Sequence, residues 1–283
     1  MTLTTIRRSP ETPSATVAPA VVFVHGMRTS SAIWDRQVAH VRDLGHDTAA
    51  VDLPAHGTRH AERFSLERSF EVLDDAAASF GADRQVVLVG LSLGGYTSLA
   101  WAARRPANLA GVVAAGCTSD PKGKPVAMFR DTARIVVASG GVLGRTSRWA
   151  ARTSVSAFEN LTRPGRPGPP RASFAAQGPG GLGAPVAPRP GWGIVTDALT
   201  QLAGRSWLAH VRALDVPLWL VNGARDRMRL DEQRFLAAAS DAALVVVPGA
   251  GHDVNSEAPD AFNRVLGRAL ADFRRARGAT LVA

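Results

Sequence analysis

The run Val86-Val87-Leu88-Val89 stops at Gly90-Leu91-Ser92-Leu93-Gly94-Gly95, and a helical stretch over residues 92–105 begins at once. Four consecutive apolar residues, three of them β-branched, read as a strand buried on both faces. A serine flanked at two places on either side by glycine, between such a strand and a helix, marks a turn too sharp for larger neighbours. The turn pushes the Ser92 hydroxyl off the end of the strand. It also puts the Leu93 backbone N–H at a helix N-terminus, where a developing oxyanion is stabilised. Ser92 is therefore the candidate nucleophile and Leu93 a candidate oxyanion donor.

The same alternation runs through much of the chain. Residues 21–24 form a short apolar strand that stops at His25-Gly26. Residues 31–44 carry Ile33, Trp34, Val38 and Val41 at helical spacing and stop at Gly45. A second strand over 48–53 is closed by Pro54, and a helix over 65–80 has Ser65 as its cap. Strands over 85–89 and 109–115 flank the helix that follows Ser92. Buried strands alternating with helices specify a parallel sheet covered on its faces.

After Cys117 the alternation breaks. Residues 125–138 and 141–158 have the pattern of two amphipathic helices. Residues 163–193 then include Arg163-Pro164-Gly165-Arg166-Pro167-Gly168-Pro169-Pro170, which suits neither a helix nor a central strand and reads as a loop or a disordered segment. The strand–helix pattern resumes with a helix over 199–214, a strand over 217–221, a helix over 232–240, a strand over 244–247 and a helix over 258–275. The expected organisation is a core of residues 20–119 and 196–283, interrupted by an insert over 120–195.

A serine nucleophile needs a base, and the base belongs on a loop beyond the C-terminal edge of the sheet. Among the seven histidines, His252 in Pro248-Gly249-Ala250-Gly251-His252 directly follows the last strand. His40, His46, His60 and His210 fall on polar helix faces or loops and are expected to be solvated. The base needs a carboxylate to fix its tautomer. Asp226, in Val221-Asn222-Gly223-Ala224-Arg225-Asp226, follows the preceding strand, with Asp120 and Asp231 as rival positions.

Composition removes several classes of function. The net charge is +9, but the arginines are spread out and Lys122 and Lys124 are the only lysines. Without a basic stripe or a reading motif, no nucleic-acid partner is expected. No apolar stretch reaches the roughly 20 residues of a membrane span. The two arginines near the start are followed by no apolar run, so a cytoplasmic protein is expected. Cys117 is the only cysteine and reads as buried filler. No phosphate loop or metal-spaced cluster is present, so neither cofactor nor metal is expected.

Together these residues resemble the α/β-hydrolase superfamily in its cap-bearing branch. The resemblance covers residues 20–117 and 207–275. It implies a mostly parallel, doubly wound α/β sheet with an inserted helical cap, and the chain order Ser92, Asp226, His252 matches the family's. His25-Gly26 resembles the family's H-G oxyanion motif, which implies Met27 N–H as the second donor and His25 as a brace for the loop. Trp34 lies in a segment similar to the helix after that loop. Asp52-Leu53-Pro54-Ala55-His56-Gly57 resembles the D-x-P-G-H-G turn, with Ala55 in place of glycine and His56 as a turn residue. Relatives that open epoxides or displace halide carry Asp where Ser92 stands, so those activities are not expected.

The implied activity is hydrolysis of a small ester, lactone or thioester through an acyl-enzyme on Ser92. The alternatives are other reactions on the same three side chains, C–C bond hydrolysis or cofactor-free perhydrolysis, and ligand binding without catalysis. Phe129, Trp149, Phe158 and Trp192 in the insert, with Val126 and Ile135, are candidates for an apolar acyl pocket. Arg130 and Arg134 are candidates to meet a carboxylate.

Overall fold

The computed structural model describes residues 17–124 and 193–280, with side chains up to residue 276. The two expected helices over 125–158, the loop expected over 163–193 except its last residue, and Phe129, Trp149, Phe158 and Trp192 lie outside the described residues.

Six strands form one sheet: β1 (Ala20–Val24), β2 (Thr48–Val51), β3 (Val86–Leu91), β4 (Leu109–Ala115), β5 (Leu218–Gly223) and β6 (Ala242–Val247). Every pairing is parallel and the order is β2-β1-β3-β4-β5-β6. The four inner strands are the apolar runs of the sequence. Nearly all their residues are buried, whereas the edge strands β2 and β6 are mostly half-buried.

Side chains alternate across the sheet and build a core on each face. Val22, Val24, Leu88 and Val112 pack with Leu73, Leu99, Trp207 and Phe235 on one face. Val21, Phe23, Val87, Val89 and Val113 pack with Trp34, Val41, Phe262, Leu270 and Phe273 on the other. The described helices are α1 (Asp35–Asp43), α2 (Leu66–Ala78), α3 (Leu93–Ala102), α4 (Gly193–Leu202), α5 (Trp207–Arg212), α6 (Glu232–Ala238), α7 (Val254–Glu257) and α8 (Pro259–Thr280). A 3-10 turn over Ser31–Trp34 precedes α1, and Ser65 caps α2 by accepting from Arg68 N–H.

Two expectations are corrected. The single helix over 199–214 is two helices, α4 and α5, separated at Gly204, whose φ is 72°. Its apolar spacing survives the break because Leu202, Leu208 and Val211 pack into the same core. His46 is buried rather than solvated, with Nδ1 2.7 Å from Pro19 O. His60 is exposed, and His40 and His210 are half-buried.

The strand order fixes where a site can form. The chain runs from β1 outward to β2, then crosses back to place β3 on the other side of β1. Ligands in such sheets bind beyond the strands' C-terminal ends at this reversal. Val24 pairs with Gly90 there, so the loops after β1 and β3 leave the sheet side by side.

Candidate active site

Ser92 stands at the end of β3 with φ 53° and ψ −115°, and α3 begins at the next residue. Its N–H donates to Ala115 O of β4 (2.8 Å), which pins the turn to the sheet. A Cβ at Gly94 would stand 2.2 Å from Val24 O, and one at Gly90 2.5 Å from Gly94 O. The flanking glycines are there because backbone fills the space of a side chain.

His252 reaches Ser92 from the loop after β6. Its Nε2 lies 2.9 Å from Ser92 Oγ, and its Nδ1 lies 3.1 Å from both carboxylate oxygens of Asp226. Asp226 sits on the loop after β5 with its side chain 1% exposed, and Met228 N–H donates to it at 2.8 Å. The loops are laced together: Ala224 N–H donates to Val247 O and Arg225 N–H to Ala250 O. Glu257 accepts from Gly251 N–H at 2.8 Å and braces the residue before the imidazole. A Cβ on Gly116 would stand 3.3 Å from the His252 ring, so the end of β4 leaves room for it.

Burial pulls the His252 pKa down. The hydrogen bond and charge of Asp226, aided by Asp253 and Glu257, outweigh that pull and leave it above 6.5. With the Nδ1 proton held by Asp226, Nε2 is free to accept the Ser92 proton.

On the opposite side lies the loop after β1. A Cβ on Gly26 would stand 3.6 Å from Ser92 Cβ, so this loop passes beside Ser92 at Gly26. His25 is fully buried. Its Nε2 accepts from Leu53 N–H (3.0 Å), so its Nδ1 carries the proton and donates to Gly26 O (2.7 Å). Burial lowers its pKa to about 4. It is therefore neutral, and its 4.0 Å approach to Asp52 is not an ion pair.

The rival carboxylates hold structure instead. Asp120 is buried and accepts from Trp207 N–H (2.9 Å) and Ser206 Oγ (3.0 Å) at the start of α5. Asp231 accepts from Asp120 N–H (2.8 Å) and pairs with Lys124 and Arg234. Cys117 is buried beneath α3, with burial pushing its thiol pKa far up. Among the described residues, no group of three or more His, Cys, Asp or Glu side chains could hold a metal ion. None of the described helices is long and apolar enough to cross a membrane.

The sequence did not reveal what His56 does. It lies in the expected turn, but it is fully buried and reaches 28 residues back to the loop after β1. Nor did it reveal Glu257, which braces the loop six residues before it, or Gly116, whose neighbour His252 arrives from the loop after β6.

A doubly wound parallel sheet with a serine on a strand–helix turn at its switch point is the architecture of an α/β hydrolase. A model of the alpha/beta hydrolase family matches residues 21–265, and the chain belongs to that family. Its sequence is similar to that of a probable esterase, PIR7A, of Oryza sativa subsp. indica, at 44% identity over 87 residues. That match covers 30% of this chain and 33% of the rice protein, so it spans about a third of that relative's length. It is also similar to a 2-succinyl-6-hydroxy-2,4-cyclohexadiene-1-carboxylate synthase of Enterobacter sp. (strain 638), at 26% identity over 89% of this chain and 92% of that protein. In structure it resembles a thermophilic esterase from Thermogutta terrifontis, with a TM-score of 0.64 and 19% identity over 90% of each chain.

Proposed function

We propose that the protein is a serine hydrolase that cleaves a small ester, lactone or thioester through an acyl-enzyme on Ser92. The observation that carries this reading is the relay from Asp226 through His252 to Ser92 Oγ, with contacts of 3.1 and 2.9 Å. His252 takes the Ser92 proton as Oγ attacks the acyl carbonyl. Asp226 steadies the imidazolium that forms. The Leu93 N–H at the start of α3 and the Met27 N–H, next in the chain to Gly26, are assigned to the oxyanion. His252 then protonates the leaving group, and water, activated by the same imidazole, releases the acid.

Substrate choice is assigned to the insert over 120–195, with Phe129, Trp149, Phe158 and Trp192 as its apolar contacts. The insert interrupts the core of residues 20–119 and 196–283, and specificity in such folds lives in loops rather than in the reacting side chains. The esterase names of the rice and Thermogutta proteins support an acyl substrate. A second reading has an observation of its own. A relative matched over nearly its whole length is named a synthase, which speaks for a non-hydrolytic reaction on the same three side chains. A panel of p-nitrophenyl esters, lactones and acyl thioesters, run with wild type and Ser92→Ala, tests the first reading. Ser92-dependent release of acid supports it, and Ser92→Ala turning over at the wild-type rate overturns it.

A further inference from the structure

We infer that His56 is a positioning residue for the oxyanion loop, acting through the backbone N–H of Arg28; this rests on the acyl-transfer reading above. Arg28 follows Met27 directly and has a φ of 60°. A non-glycine residue pays about 1–2 kcal/mol to adopt that left-handed conformation, so something must hold it there. Its N–H donates to His56 Nε2 at 3.0 Å. This bond fixes the plane of the peptide that joins Arg28 to Met27, and with it the end of the segment whose Met27 N–H is assigned to the oxyanion.

The imidazole is well placed to act as a fixed acceptor. Because Nε2 accepts, Nδ1 carries the proton, and it donates to Pro54 O at 2.9 Å. The ring is fully buried. It packs against His25, with centroids 4.7 Å apart, and edge-on to Phe64 at 6.4 Å. The titratable groups facing it are His25 and Asp52. Burial keeps His56 below the ordinary histidine range, which preserves Nε2 as an acceptor. His25 performs the matching task in the same loop, tying Gly26 O to Leu53 N–H. The two histidines therefore anchor the residues on either side of Met27 to the turn after β2.

The anchoring predicts a loss confined to the transition state. Removing a whole oxyanion donor costs about 10²–10³-fold in kcat, so loosening one is expected to cost about 10–100-fold. The decisive comparison is His56→Leu, which fills the space without an acceptor, against His56→Gln, whose side-chain oxygen can reach the Nε2 position. His56→Asn, polar but too short to reach Arg28, is the second acceptor-deficient variant should the leucine protein not fold.

The readouts are kcat and KM on a p-nitrophenyl ester, affinity for a trifluoromethyl ketone that forms a tetrahedral adduct with serine, and thermal unfolding. His56→Leu or His56→Asn is expected to lose kcat and ketone affinity together while KM stays within about threefold, and His56→Gln is expected to recover most of both. A folded acceptor-deficient variant with wild-type kcat and ketone affinity would overturn the inference. Equal losses in the glutamine and leucine proteins would also overturn it, because the role would then be packing alone. A wild-type protein that neither cleaves esters nor binds the ketone would instead sink the acyl-transfer reading, and this inference with it.

Discussion

Ser92 is held at φ 53°, a conformation costing a non-glycine residue of order 1–3 kcal/mol. The cost is met by packing: Ala115 O accepts its N–H, and Gly90 and Gly94 give the backbone room on either side. A functional side chain forced into such a position makes stability and activity pull in opposite directions. Ser92→Gly is expected to raise stability by about 1 kcal/mol while abolishing ester hydrolysis. Ser92→Ala keeps the strained backbone and is expected to lose activity without that gain. Chemical denaturation of the two variants beside wild type checks both. His252 and His25 have pKa values shifted in opposite directions. His252 has a raised pKa, and a base works only when unprotonated, so the acid limb of kcat/KM is expected to have its midpoint above 6.5. A midpoint clearly below 6.5 would mean that Asp226 does not hold the proton on Nδ1. His25 is buried and neutral, with its pKa lowered from 6.5 to about 4. The unfolded chain takes up this proton first, so the contribution of His25 is intact above pH 6.5 and is lost as pH falls toward 4. The full loss is about 3 kcal/mol at roughly 1.4 kcal/mol per pH unit. Denaturant midpoints at pH 7 and pH 4.5 are expected to differ less in His25→Gln than in wild type.

The two carboxylates after β4 and β5 meet different partners. Asp120 satisfies the first N–H of α5, whereas Asp226 meets His252. Asp226→Asn is expected to lose about 10⁴-fold in kcat with little change in stability, as when a triad histidine is left in the wrong tautomer. Asp120→Ala is expected to cost about 2 kcal/mol, because charge-assisted bonds to a buried carboxylate disappear, while Ser92 stays reactive. Paired melting and ester assays separate the roles, and the reverse pattern would reassign the acid. Local pattern made most of these elements legible. The apolar runs 21–24, 85–89 and 109–115 mark strands because they are buried on both sides. Glycine spacing around Ser92 marks the turn because backbone packing forbids a Cβ there. What local pattern missed depends on distant partners. His46 reads as a polar loop residue until Pro19 supplies its acceptor and Arg274 of α8 comes alongside. His56 reads as a turn residue until the loop after β1 passes over it. The break between α4 and α5 is hidden because both helices bury apolar residues in one core, so the spacing survives a change of direction.

The sheet as a whole makes the site. Ser92 comes from β3, Asp226 from the end of β5, His252 from the end of β6, and Met27 from the loop after β1. These residues span 27–252 in sequence and meet only because β3 crosses back over β1 at the switch point. The sequence reading picked out three of them because each follows a recognisable buried strand. The insert proposed over 120–195 follows no recognisable buried strand, so the substrate contacts proposed there have no such signal to mark them. An acyl-enzyme on Ser92 would be trapped directly by rapid quenching. Wild type and Ser92→Ala are mixed with a p-nitrophenyl ester, quenched in acid within milliseconds, digested and weighed peptide by peptide. One acyl group is expected on the wild-type peptide that contains Ser92, fading as free acid appears, and none on the variant. Undiminished ester cleavage by Ser92→Ala, or an acyl group on any other residue in its place, would contradict it.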